Sequence, residues 1–118
     1  MIFSRFRLMK RCFPRSWIRK LPLLLFPADT IVRDGRTVAL CTTFRRRIIL
    51  LCVDAACRRQ GLASVLIQRS TAVRTDTYVE NAAALEVWLK NGFVVDYTRD
   101  TPFGKKYELV RQERGRIG

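Results

Sequence analysis

The sequence predicts a single α/β (α+β) domain in which strand-like and helical stretches alternate along the chain. Its 118 residues suit one domain with a modest core. Asp34-Gly35 joins two β-prone runs, which is a strong hairpin signal because both turn residues tolerate the left-handed backbone a tight hairpin needs. A continuously apolar run, Ile48 to Val53, then leads through a basic glycine-containing turn into a helical pattern. Apolar residues make up 48% of the chain against 28% charged, which favours a packed core over disorder. No run of about 18 apolar residues exists, so no membrane span is predicted.

Taken in order, residues 1–8 alternate loosely through Ile2, Phe3, Phe6 and Leu8 and read as a first strand. Residues 14–26 read as a helix with Pro14 near its start and Pro22 kinking or ending it. The hairpin spans 30–43. Arg46 to Asp54 is the next strand, and its unbroken apolar run suits a central position covered on both faces. Leu62, Val65, Leu66 and Val73 place a helix over 62–72. Thr75 to Val79 reads as a short strand. Asn81 opens a second helix carrying Ala84, Leu85, Trp88 and Leu89 on one side, and Asn91-Gly92 ends it. Phe93–Thr98 and Lys106–Val110 read as a final hairpin around Thr101-Pro102-Phe103-Gly104. The organisation is a basic segment (1–28) supplying a first strand and helix, a domain body (29–111) and a tail (112–118) expected to fray.

Charge is uneven. Residues 1–50 hold 12 Lys/Arg against Asp29 and Asp34, while residues 51–118 hold 11 against eight acids. A nucleic acid or another polyanion is one partner this implies, and a solvated basic surface is the plainer alternative. The basic start followed by Leu21-Pro22-Leu23-Leu24-Leu25-Phe26 has the outline of a signal peptide. Its apolar part is short, contains Pro22 and lacks a small-x-small cleavage site. A basic amphipathic segment lying on a membrane is a further alternative. Cys12, Cys41, Cys52 and Cys57 form no C-x-x-C pair, and the chain has no histidine. No metal site is therefore expected, His-based triads are excluded, and a reducing, cytoplasmic compartment fits best.

The turn between the central strand and the helix reads Val53-Asp54-Ala55-Ala56-Cys57-Arg58-Arg59-Gln60-Gly61-Leu62-Ala63. Backbone N–H groups at a helix start lack intrahelical partners and attract anions, and a glycine there lets the backbone come close. This stretch resembles the acyl-CoA-binding loop of the GCN5-related N-acetyltransferases, Arg/Gln-x-x-Gly-x-Gly/Ala. Further on, Asn81-x-x-Ala84-x-x-x-Trp88-x-Lys90-x-Gly92-Phe93 resembles the same family's second motif. The resemblance covers about residues 30 to 110. It implies a central mixed, mostly antiparallel sheet flanked by helices, acetyl-CoA as co-substrate, and direct acyl transfer to an amine on a small molecule, a protein or RNA. Under it, the strand edge at Cys52, Val53 and Asp54 pairs with the pantetheine arm. Arg58, Arg59, Gln60, Gly61, Leu62, Ala63 and Ser64 hold the pyrophosphate, and Asn81 and Trp88 line the CoA arm.

The chain departs from that pattern in two ways. Trp88 stands where many members have the tyrosine that protonates the leaving thiolate, and an indole is only a donor. Tyr78, Tyr97 or water would have to substitute. Only twenty residues separate Gly61 from Asn81, fewer than is usual, and little chain precedes the hairpin to shape an acceptor site. Asp76, Glu80 and Asp54 are the candidate bases for the acceptor amine, each more readily read as an ordinary surface carboxylate. These departures keep open a basic binding module on the same scaffold without turnover.

Overall fold

The structure is a computed structural model that describes residues 2–14 and 17–112. Two helices come first, α1 (Ile2–Cys12) and α2 (Trp17–Lys20), the second running into a 3-10 turn at Leu21–Leu25. Strands β1 (Ala28–Arg33), β2 (Arg36–Phe44) and β3 (Arg47–Val53) follow, then α3 (Leu62–Arg69), β4 (Arg74–Tyr78), α4 (Ala82–Lys90), β5 (Phe93–Thr101) and β6 (Gly104–Arg111). The six strands form one sheet in the order β1-β2-β3-β4-β6-β5. Only the β3–β4 neighbours are parallel.

From the first hairpin onward, the elements follow the sequence reading closely. Asp34 and Gly35 turn β1 into β2 with φ of 52° and 75°, the paired left-handed geometry of a two-residue hairpin. The second hairpin turns on Arg45 and Arg46, also left-handed at 50° and 64°. Strand β3 is central and covered on both faces. Leu50 and Cys52 join a core layer with Leu8, Met9 and Leu40. Leu51 and Val53 pack on the opposite layer, where Leu66, Ile67, Trp88, Phe93 and Leu109 are buried. A bulge sharpens this arrangement. The β2–β3 register steps from Thr42↔Leu50 to Thr43↔Ile48, leaving Ile49 unmatched and turning Ile48 onto the α3/α4 side.

Three expectations need correction. Of residues 1–8, expected as a strand, 2–8 are helical, and Met1 lies outside the described residues. Phe6, Met9 and Phe13 repeat at three and four residues, which is a helical period. Lys10 and Arg11 in the last turn also suit the helix dipole. The single helix expected over 14–26 is instead the four-residue α2 and a 3-10 turn with Pro22 near its start, where the missing N–H breaks no α-helical bond. Helix α3 stops at Arg69 because Ser70 is extended. Val73 therefore leaves the helix, and its N–H bonds the Arg46 carbonyl instead. The tail expected to fray falls largely on 113–118, outside the described residues.

Candidate functional site

The site is a split in the sheet. Strands β3 and β4 are matched only at Arg47↔Arg74, and the Thr75 hydroxyl donates to the Ile48 carbonyl at 3.1 Å near the closed end. Asp54 N–H bonds the Val38 carbonyl at 2.8 Å across to β2. Backbone groups alternate along a strand, so those of Leu51 and Val53 point away from β2, into the gap. The gap opens into a cavity of about 1030 Å³. Cys12, Phe13 and Lys20 line it from the α1/α2 side, and Leu62, Ala63, Ser64, Val87 and Trp88 from the α3/α4 side. The cavity therefore passes through the sheet.

At its mouth, Asp54 caps a short 3-10 turn, Ala55–Cys57, by accepting from Ala56 N–H at 3.1 Å. Arg59 and Gly61 are left-handed at φ 65° and 75°. Helix α3 begins there, and its first intrahelical bond runs from Val65 N–H to the Gly61 carbonyl. The N–H groups of Leu62, Ala63 and Ser64 thus face outward from a helix start, beside the exposed side chains of Arg58 and Arg59. Arg58 Nε donates to the Val53 carbonyl at 3.3 Å, which ties the turn to the strand edge.

Most predicted site residues meet here. Cys52, Val53, Arg58, Arg59, Gly61, Leu62, Ala63, Ser64, Asn81, Trp88, Asp76 and Tyr78 all line the cavity. Four predicted residues, Asp54, Gln60, Glu80 and Tyr97, do not line it. Asp54 is buried and paired with Arg11 at 3.0 Å. Gln60 accepts from Arg33. Glu80 is exposed beyond the end of β4. Asn81 uses its side-chain oxygen to cap α4, accepting from Ala84 N–H at 3.1 Å. Trp88 is buried edge-on against Phe93, with centroids 5.3 Å apart. Asp76 accepts from Lys106 at 3.2 Å, Arg99 at 3.1 Å and Arg47 at 3.4 Å. Its carboxylate is therefore engaged on both oxygens. Tyr97 lies exposed on β5, away from the cavity.

The sequence reading missed the wall contributed by α1 and α2. Cys12 Sγ donates to the Val53 carbonyl at 3.4 Å. The neighbouring Cys12 sulfur, followed by burial, pushes the Cys52 thiol up, and the Cys52 thiol is the chief cause holding Cys12 down. Lys20 Nζ stands 4.6 Å from the centre of the Phe13 ring. No local pattern announces these residues, because only the packing of α1 on β2 and β3 brings them to the split. A second cavity, about 610 Å³, lies between α1 and the first hairpin and is lined by Ser4, Arg7, Lys10, Arg11, Gly35, Arg36 and Thr37. Arg11 is paired with Asp54, whereas Arg7, Lys10 and Arg36 meet no described carboxylate at ion-pair distance.

No family model matches this chain and no curated protein matches it. Solved structures do. A protein from Desulfovibrio desulfuricans assigned to the GNAT family of acetyltransferases superimposes with a TM-score of 0.73 at 9% identity, over 92% of this chain and 89% of that one. The fold is that of the GCN5-related N-acetyltransferases. The ribosomal-protein-S18-alanine N-acetyltransferase from Escherichia coli matches this acetyltransferase fold with a TM-score of 0.67 at 16% identity, over 99% and 92% of the two chains. A chain of the NatC complex bound to Gag peptide and CoA matches at 0.67 and 19%, over 95% and 90%. Identities this low establish the acetyltransferase fold alone, so the chemistry rests on the site residues. Among those described, no helix is long and apolar enough to cross a membrane.

Proposed function

We propose that this chain is an N-acetyltransferase that binds acetyl-CoA in the split between β3 and β4 and transfers the acetyl group directly to an amine. The observation that carries this reading is the through-sheet cavity, which joins a strand edge that no neighbouring strand covers to a glycine turn at a helix start. The pantetheine amides add to the edge at Leu51 and Val53 as another strand would. The pyrophosphate takes the N–H groups of Leu62, Ala63 and Ser64, with Arg58 and Arg59 adding charge-assisted bonds. The edge N–H groups polarise the thioester carbonyl. The acceptor enters from the α1/α2 side, and its neutral nitrogen attacks. A C–N bond forms, the C–S bond breaks, and the amine proton leaves through water. The Tyr78 hydroxyl is the tyrosine donor within the cavity for the departing thiolate. Asp76, already bonded to three cations, serves to hold β4 against β6 and β5 rather than as the base. A reducing, cytoplasmic setting suits the four free thiols.

The test is thermal unfolding with and without acetyl-CoA, repeated with Gly61→Glu. A ligand at about 100 times its Kd stabilises by roughly 2.7 kcal/mol. Stabilisation in the wild type, and its loss in a folded variant, is the expected result. No stabilisation of the folded wild type overturns the reading.

The groove beside α1 favours a second reading, a nucleic acid or another polyanion bound on the basic N-terminal half. Arg7, Lys10 and Arg36, which meet no described carboxylate at ion-pair distance, line one concave surface there. Replacing Arg7, Lys10 and Arg36 with alanine is expected to flatten the salt dependence of binding to single-stranded RNA, by about 0.7 in log–log slope for each phosphate no longer neutralised. An unchanged slope overturns this reading.

A further inference from the structure

The acceptor end of the cavity already contains an amine of the protein itself. Lys20 is the last residue of α2, and its side chain lines the same cavity as Leu51, Val53 and Gly61. Its position is tied to the strand edge through a short chain of contacts. The Cys12 sulfur bonds the Val53 carbonyl at 3.4 Å, Phe13 follows Cys12, and Lys20 Nζ stands over the Phe13 ring at 4.6 Å.

Lys20 differs from the other lysine at this end. Lys106 Nζ is bonded to Asp76 at 3.2 Å and lies over the Tyr78 ring. Lys20 meets no described carboxylate at ion-pair distance. Burial lowers its pKa, and the positive charges of Arg19 and Lys106 lower it further, outweighing the weaker opposing effects of Cys52 and Asp76. An amine must lose its proton before it can attack a thioester, so burial and the neighbouring cations favour the reactive form, against the pull of the Phe13 ring face on the ammonium.

We propose that Lys20 is an internal acceptor, acetylated by the acetyl-CoA bound in its own cavity. This rests on the reading of the split as an acetyl-CoA site. The Lys20 ammonium gives one proton to water, and the neutral Nζ attacks the thioester carbonyl carbon. The C–N bond forms and the C–S bond breaks. The second nitrogen proton goes to the departing CoA thiolate, leaving an amide on Lys20, free CoA thiol and one proton in solution. The modification removes a charge from the acceptor mouth and fills it with an acetyl group, so it would also change which acceptors enter.

The experiment is peptide mass spectrometry of the full chain after incubation with isotopically labelled acetyl-CoA, run beside the thermal-shift measurement. The expected result is label on Lys20, at a rate per molecule independent of protein concentration. Gly61→Glu should lose that label. Lys20→Arg should lose it too while still being stabilised by acetyl-CoA. Stabilisation by acetyl-CoA without label on Lys20 overturns this proposal and leaves the cofactor reading intact. Label spread evenly over Lys10, Lys90 and Lys105 and unchanged by Gly61→Glu also overturns it, since that is uncatalysed chemistry. A protein neither stabilised nor labelled overturns both.

Discussion

On the α3/α4 side of the sheet, each helix begins at a residue that does its work locally. Gly61 supplies the left-handed turn before α3, and Asn81 caps α4 through its own side chain. On the α1/α2 side, α2 has no fully buried side chain. What holds that side is the burial of Leu8 and Met9 against Leu40, Leu50 and Cys52, which lie far away in sequence. The difference has a functional consequence. The proposed donor half of the cavity is a short-range construction that survives in the sequence as motifs. The proposed acceptor half exists only once α1 has docked.

The strongest way to break this comparison is to undock α1. Met9 is fully buried, and Met9→Ala is expected to cost about 2–5 kcal/mol in chemical denaturation, the range for truncating a buried side chain. A loss under about 0.5 kcal/mol, the usual scale of surface substitutions, would show that α1 is not part of the fold. Arg58→Ala acts on the other side. Removing a charge-assisted bond to the pyrophosphate is expected to weaken acetyl-CoA binding by about 1.5–3 kcal/mol, measured by calorimetry. Unchanged affinity would remove Arg58 from the phosphate site and leave it only its bond to the Val53 carbonyl. The smallest effect sharpens the local half of the contrast. Asn81→Ala removes the α4 cap and is expected to cost about 1 kcal/mol. A loss of ligand affinity much larger than this stability cost would mean that Asn81 also touches the CoA arm.

Much of the donor half was legible because its signals are short. The Asp34-Gly35 turn, the apolar run of β3, the Arg58–Ala63 loop and the Asn81 start each depend on neighbours within a few residues. The acid and base assignments were not legible. Asp76 looked available in the sequence, but β6 and β5 bring Lys106 and Arg99 onto it, and Arg47 reaches it from β3. Asp54 looked like part of the cofactor edge, but α1 brings Arg11 to pair with it.

The sequence by itself determined the order of the strands and helices from the first hairpin onward, the place of the glycine turn and the cap of α4. Periodicity, turn chemistry and capping are set by residues a few positions apart, so they can be read without the fold. Only the tertiary structure decided that the first residues are a helix, that β3 and β4 part beyond Arg47 and Arg74, and that Cys12, Phe13 and Lys20 wall the cavity. Those outcomes depend on which apolar face finds which partner across the whole chain, and on where a strand pairing ends. No local stretch of residues encodes either.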